Sequence, residues 1–258
     1  MQLPLPGARR RTEVVIERMS AKAFTTINAV RSSLRRVASP SKAKLLARFF
    51  KTGKGEYGEG DKFLGITVPE SRAIAHKFSH LPLSDITKLL RLSFHEERLV
   101  ALLILVHRFE KGNPEEQVSV ANFYLASTKY INNWDLVDLS AHKILGPYLT
   151  NRPKRLLQRL AMSENIWERR IAVLTTFEFI RQHRYTETLK LARVLLKDKH
   201  DLMHKAVGWM LREVGKRNRA VLEKFLAQNY HKMPRTMLRY AIERLPGKRR
   251  QAYLKGVV

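Results

Sequence analysis

The chain has 258 residues, enough for one large domain or two small ones with a substantial core, and its 44% hydrophobic content is that of a folded protein. Its 49 Lys+Arg outnumber 23 Asp+Glu, and the resulting formal charge of +26 runs along the whole sequence, so nucleic acid is the leading partner. The absence of cysteine excludes disulfides, thiolate catalysis and cysteine-ligated zinc or iron–sulfur centres, and apolar runs such as Leu99 to Val106 are far too short to span a membrane.

Residues 1–21 stand apart as an N-terminal extension, expected to be disordered or to reflect a misplaced start at Met1 instead of Met19. Pro4, Pro6 and the run Arg9-Arg10-Arg11 suggest a targeting segment, but Glu13 and Glu17 weigh against a transit peptide. From residue 22 to 258 the pattern predicts a single helical domain. Apolar residues recur at spacings of three and four, as in Leu99, Leu102, Leu103 and Val106, and again in Ile171, Leu174 and Phe177. Breakers cut the chain into helix-length pieces: Ser39-Pro40, the glycine-rich stretch Gly53 to Gly60, Pro69, Pro82, Gly112-Asn113-Pro114, Gly146-Pro147, Pro153, Pro234 and Pro246-Gly247. Pro69, Pro82 and Pro114 suit the first turn of a helix, where a missing N–H is not needed. The glycine-rich stretch lacks a Gly-Lys-Ser/Thr ending, so it is no phosphate loop.

A repeat underlies this pattern. Arg98-Leu-Val-Ala, Trp134-Asp-Leu-Val, Arg170-Ile-Ala-Val, Lys205-Ala-Val-Gly and Arg239-Tyr-Ala-Ile begin 36, 36, 35 and 34 residues apart. A period of that size filled by two helices predicts an all-α helical-repeat solenoid. If Arg98, Arg170, Lys205 and Arg239 share one position of the repeat, the solenoid presents a concave basic groove. Solvated charge on outer helices is the plainer alternative.

Trp134 and Asp138 stand four residues apart, about 5–6 Å between Cβ atoms on a helix. An aromatic face beside a carboxylate suits a cation in a surface otherwise built for anions. Trp167, with Ile166, Ile171 and Leu174 around it, reads as core, whereas Trp209, between Lys205 and Arg212, reads as open toward a ligand. Asp135 competes with Asp138 for the reactive role. His76 and His80 are four apart without the intervening glutamate of a zinc-binding helix, so no metal is expected.

Four segments in order, Phe63-Leu-Gly-Ile-Thr-Val-Pro-Glu-Ser-Arg72, Trp134-Asp-Leu-Val-Asp138, Asn165-Ile-Trp-Glu-Arg-Arg170 and Lys205-Ala-Val-Gly-Trp-Met-Leu-Arg-Glu213, resemble the AlkD-like DNA alkylation repair family from about residue 22 onward. These are bacterial DNA glycosylases of HEAT-like repeats that remove alkylated purines. The resemblance implies a fold of HEAT-like repeats and monofunctional hydrolysis of the N-glycosidic bond of N3- or N7-alkylated, cationic purines in double-stranded DNA, without deep base flipping. It implies Asp138, Trp134 and Trp209 as catalytic residues and Arg170 as a backbone-holding one. Lys205, Arg98, Arg212 and Arg239 complete the expected DNA-binding set. Where the family often carries aromatics before the Lys-Ala-φ-Gly-Trp motif, this chain has Leu202 and Met203. No cofactor, no membrane partner, a monomer and a cytoplasmic, nucleoid-associated setting are expected. The alternative is a non-catalytic repeat protein that binds distorted or branched DNA.

Overall fold

The computed structural model describes residues 26–258, so the extension expected over residues 1–21 and its arginine run lie outside the described residues. Among the described residues the regular elements are helices, joined by turns and one isolated bridge between Lys62 and Phe94. The all-α fold and its helical repeats are as expected. None of these helices is long and apolar enough to cross a membrane. The chain groups into two compact units, divided in sequence between Lys111 and Gly112, where a single domain is the expectation from residue 22 onward.

The first unit holds helices Ile27–Val37, Pro40–Phe49, Val68–Lys77, Leu83–Leu90 and His95–Lys111. Their starts follow the sequence. Thr26 and Ser39 accept backbone N–H groups as N-caps, and Glu70 Oε2 accepts from both the N–H and the hydroxyl of Thr67. Pro69 falls in the first turn of its helix, and Pro82 is one residue earlier, at the N-cap. The helix His95–Lys111 is apolar around most of its circumference, and Leu99 through Val106 are all buried, which makes it the axis of this unit's core.

The segment that follows the glycine-rich stretch is tied to that axis by two acids. Glu96, 1% exposed, accepts the backbone N–H groups of Leu64, Gly65 and Ile66 at 2.9, 2.9 and 3.1 Å. Asp61 binds His95 Nδ1 at 2.9 Å and Arg98 Nη2 at 2.6 Å. Gly65 has φ +82°, and a Cβ there would lie 2.1 Å from the Ser39 carbonyl oxygen, so only glycine permits this approach to the start of the helix Pro40–Phe49.

The second unit runs through paired helices with short connections. They are Pro114–Ala126, Trp134–Asp138, Ala141–Leu149, Arg155–Ala161, Ile166–Arg181, Thr186–Val194, Asp201–Arg217, Arg219–Asn229, Arg235–Ala241 and Gly247–Lys255. The inner helices pack on one another in series: Ala141–Leu149 on Ile166–Arg181, that helix on Asp201–Arg217, and the last on Arg235–Ala241. Glycine sets two of these spacings. A Cβ on Gly146 would meet Glu178 Cβ at 2.5 Å, and one on Gly208 would meet Tyr240 Cβ at 2.5 Å and the Met237 carbonyl oxygen at 2.6 Å.

The repeat register is visible in the helices themselves. Arg98 is the fourth residue of its helix, and Arg170, Lys205 and Arg239 are each the fifth of theirs.

Candidate active site

The helix Trp134–Asp138 has only five residues, too few to persist alone. Three features hold it. Asn133, fully buried, accepts the Trp134 N–H through Oδ1 at 2.8 Å. Leu136 and Val137 are buried in the core. Ser140 Oγ donates to the Leu136 carbonyl at 2.5 Å and lies 2.9 Å from Tyr124 Oη, so the Tyr124 hydroxyl must be the donor to Ser140. Burial, with the charge of Asp138 adding to it, holds the Tyr124 phenol protonated far beyond its ordinary range. With the inward residues fixed in this way, Trp134 and Asp138 are left half-buried on the accessible side.

Asp138 is gripped by the next long helix. Arg170 Nε reaches Asp138 Oδ1 at 2.8 Å and Nη2 reaches Oδ2 at 2.7 Å, a bidentate pair, while Nη1 donates to the Leu202 carbonyl at 2.7 Å. The side chains are 6% and 14% exposed. Burial pushes the Asp138 carboxyl above its usual value, Arg170 works against that push, and the charge of Asp135 adds to it. Asp135 is itself buried, in the first turn of the same short helix. A carboxylate so held has fixed direction, sits out of bulk water and keeps an accessible edge.

Arg170 thus links three helices, its own, the Asp138 helix and the start of Asp201–Arg217. The last of these carries Trp209, half-buried, with its ring 6.0 Å from Phe177 of the Arg170 helix. Trp167 is buried as core. Lys205 pairs with Asp201 at 2.7 Å while remaining 40% exposed, and Arg239 is exposed. Lys205, Thr236, Arg239, Tyr240 and Arg250 line a cavity of about 400 Å³ together with Asp201 and Glu243. Arg212 is engaged by Glu243 and faces Glu213 at 4.0 Å.

Arg98 is as buried as Arg170 but meets different partners, and it is less accessible than Lys205 and Arg239. It belongs to the first unit, is 6% exposed, and commits Nη1 to the Leu92 and Ser93 carbonyls and Nη2 to Asp61. The sequence places it among DNA contacts; its geometry is that of a loop tether. His76 lies against His107, ring centroids 4.9 Å apart, and among the described residues no cluster of three His, Asp or Glu is arranged to hold a metal ion. Sequence reasoning missed Tyr124, Ser140 and the Leu202 carbonyl. The first two read as ordinary helix residues, and a carbonyl leaves no mark in a sequence.

With this geometry in view, a family model described as DNA alkylation repair enzyme matches residues 30–245. The chain belongs to the DNA alkylation repair enzyme family. The match covers Asp138, Arg170, Trp134 and Trp209, and membership makes DNA the partner of the chain. No functionally curated protein matches it. One solved structure, described as a predicted DNA alkylation repair enzyme from Enterococcus faecalis, superimposes with a TM-score of 0.62 at 18% identity, covering 81% of this chain and 97% of that one. At that identity the likeness is one of fold. What distinguishes this DNA alkylation repair family member chemically is read from its own side chains.

Proposed function

We propose that this chain is a monofunctional DNA glycosylase that hydrolyses the N-glycosidic bond of N3- and N7-alkylated purines in double-stranded DNA. The observation that carries the reading is the bidentate clamp of Asp138 by Arg170 on a helix that also bears a half-buried tryptophan. Alkylation at N3 or N7 gives the purine a positive charge, so it leaves without protonation and no strong general acid is needed. What the site must supply is negative charge fixed where the sugar becomes oxocarbenium-like, and a placed water. Asp138 is proposed to supply both, held in direction by Arg170 so that no reorganisation is needed as charge develops.

Trp134 and Trp209 present electron-rich ring faces, each favouring nearby cationic character by roughly 0.5–2 kcal/mol. Lys205, Arg212 and Arg239 are proposed to meet phosphates, which sets position on the duplex without reading sequence. Arg170 is proposed to act first on Asp138, since Nε, Nη1 and Nη2 are all engaged within the protein. The chain is proposed to work as a monomer, in a cytoplasmic, nucleoid-associated setting, without deep flipping of the base.

The test is incubation of the purified protein with a duplex containing 7-methylguanine, following free base and abasic site. Release of both supports the reading. Tight duplex binding with no release at any protein concentration sinks it and favours a non-catalytic binder of distorted DNA.

A further inference from the structure

A cavity of about 590 Å³ opens beside the start of the helix Asp201–Arg217, with Met162, Arg169, Lys197 and His200 in its lining. His200 is the N-cap of that helix, with φ −94° and ψ 127°, and its Nδ1 accepts the Leu202 N–H at 3.1 Å. Ser, Thr, Asp and Asn are the residues favoured there, because each offers a short side-chain acceptor. Histidine can imitate them in one state only. A backbone N–H always donates, so Nδ1 must hold a free lone pair and the single ring hydrogen must sit on Nε2. Protonation puts a hydrogen on Nδ1 and breaks the cap.

The residue capped in this way is Leu202, whose carbonyl takes Arg170 Nη1 at 2.7 Å. The other two engaged nitrogens of Arg170 hold Asp138. A single peptide segment therefore joins the imidazole of His200 to the carboxylate of Asp138 through three successive hydrogen-bonded contacts. We propose that His200 is a positioning residue, which fixes Asp138 through Leu202 and Arg170 only while its imidazole is neutral. The inference rests on Asp138 being the reacting carboxylate.

Several charged groups stand around His200. On its own helix stand Asp201 and His204, and just before it Asp198 accepts the His200 N–H through Oδ1 at 2.9 Å. Asp198 also binds Arg169 Nε at 2.7 Å, and its carbonyl lies 2.5 Å from His204 Nε2. Glu164, Lys197 and Lys199 line the same cavity. Burial lowers the His200 pKa, Arg169 and His204 act in the same direction, and Asp198 and Asp201 oppose them. The folded state thus favours the neutral ring. Its contribution is fully present above the unfolded value of about 6.5 and is lost as pH falls through the lowered folded value.

His200→Asn keeps a capping acceptor that does not titrate, and His200→Ala removes it. At pH 7.5 the wild type and His200→Asn should agree in melting temperature and in 7-methylguanine release, with His200→Ala below both. At pH 5 the wild type should melt roughly 2–4 °C lower relative to His200→Asn than it does at pH 7.5. Its excision should fall roughly fivefold against the same variant once pH drops below the titration of the folded His200 ring, followed by NMR, the size of one lost cap. Melting differences that stay constant across pH overturn the titrating cap. Diverging melts with parallel excision profiles overturn the positioning role and leave His200 a cap alone. Should no variant release base at any pH, the proposed function fails separately. The Arg170 Nε–H NMR resonance then decides: it must move with His200 titration in the wild type and stay still in His200→Asn, and a resonance that is fixed in both overturns the coupling.

Discussion

Arg170 closes on Asp138 with two parallel hydrogen bonds, Nε to Oδ1 at 2.8 Å and Nη2 to Oδ2 at 2.7 Å. Both side chains are mostly withdrawn from water, so removing one partner leaves the other charged and uncompensated. Arg170→Ala should destabilise the second unit by about 3–5 kcal/mol, read from denaturant unfolding. Arg170→Lys should recover only part of that, because an ammonium cannot reproduce the planar fork.

Asp138→Asn keeps an oxygen that can accept from Arg170 and removes the charge. Excision of 7-methylguanine should fall by about 10²–10³-fold, the loss expected for one electrostatic partner of the transition state. Duplex affinity, measured by fluorescence anisotropy, should stay near the wild-type value. Equal excision by wild type and variant would transfer the role to another carboxylate, with Asp135 the first to examine.

The pH profile of excision carries its own signature. Burial raises the Asp138 pKa and the charge of Asp135 adds to the rise, and the ionised form is the proposed active one. Activity should therefore fall on acidification with a midpoint above the ordinary carboxylate value of about 3.9. Asp135→Asn removes the like charge and should move that midpoint to lower pH, whereas Arg170→Ala should move it higher. Midpoints that do not respond to either change would detach the profile from Asp138.

Arg98 gives a contrasting outcome. In the first unit burial works to raise the Asp61 pKa, but His95 and Arg98 overcome it and hold the carboxyl below its usual value. The stability this contributes is present above the unfolded value of about 3.9 and is lost as pH falls through the lowered folded one. Arg98→Gln should cost about 3–5 kcal/mol in unfolding free energy. The salt dependence of duplex binding by the folded variant should be unchanged. Lys205→Ala and Arg239→Ala should each reduce the slope of log affinity against log salt by about 1.

Gly208→Ala tests the helix spacing next to Trp209. Its Cβ would sit 2.5 Å from Tyr240 Cβ and 2.6 Å from a backbone carbonyl, neither of which can yield without the helices parting. A loss of roughly 1–3 kcal/mol in thermal or denaturant unfolding is expected.

Much of the architecture was legible because it is periodic. The apolar spacing marked the helix His95–Lys111, the breakers marked the joints, and the 34–36-residue recurrence put Arg170, Lys205 and Arg239 at one position of three helices. The pairing of Trp134 with Asp138 on one short helix followed from spacing alone. What spacing could not give is the partner. Arg98 and Arg170 read alike, yet Arg98 turns its guanidinium onto the carbonyls of its own loop, whereas Arg170 divides its nitrogens between Asp138 and Leu202. Which acid an arginine meets depends on how neighbouring repeats stack, and that is a property of several helices together. Glu96 shows the same limit. Beside Glu97 in a first helical turn it looks like an acid placed for the helix dipole, and its partners lie some thirty residues away.

The grip of Glu96 on Leu64, Gly65 and Ile66 separates backbone irregularity from solvent access. These three amides lie outside any helix, where rapid exchange of hydrogen for deuterium is the ordinary behaviour. Each is instead locked onto a carboxylate rooted in the most deeply buried helix of its unit, so it can be released only when that helix gives way. In a deuterium-exchange experiment this stretch should exchange at the pace of the helix His95–Lys111, and far more slowly than Gly53 and Gly55, whose amides are held only by exposed acids of their own loop. Part of what looks like a connector therefore unfolds as core.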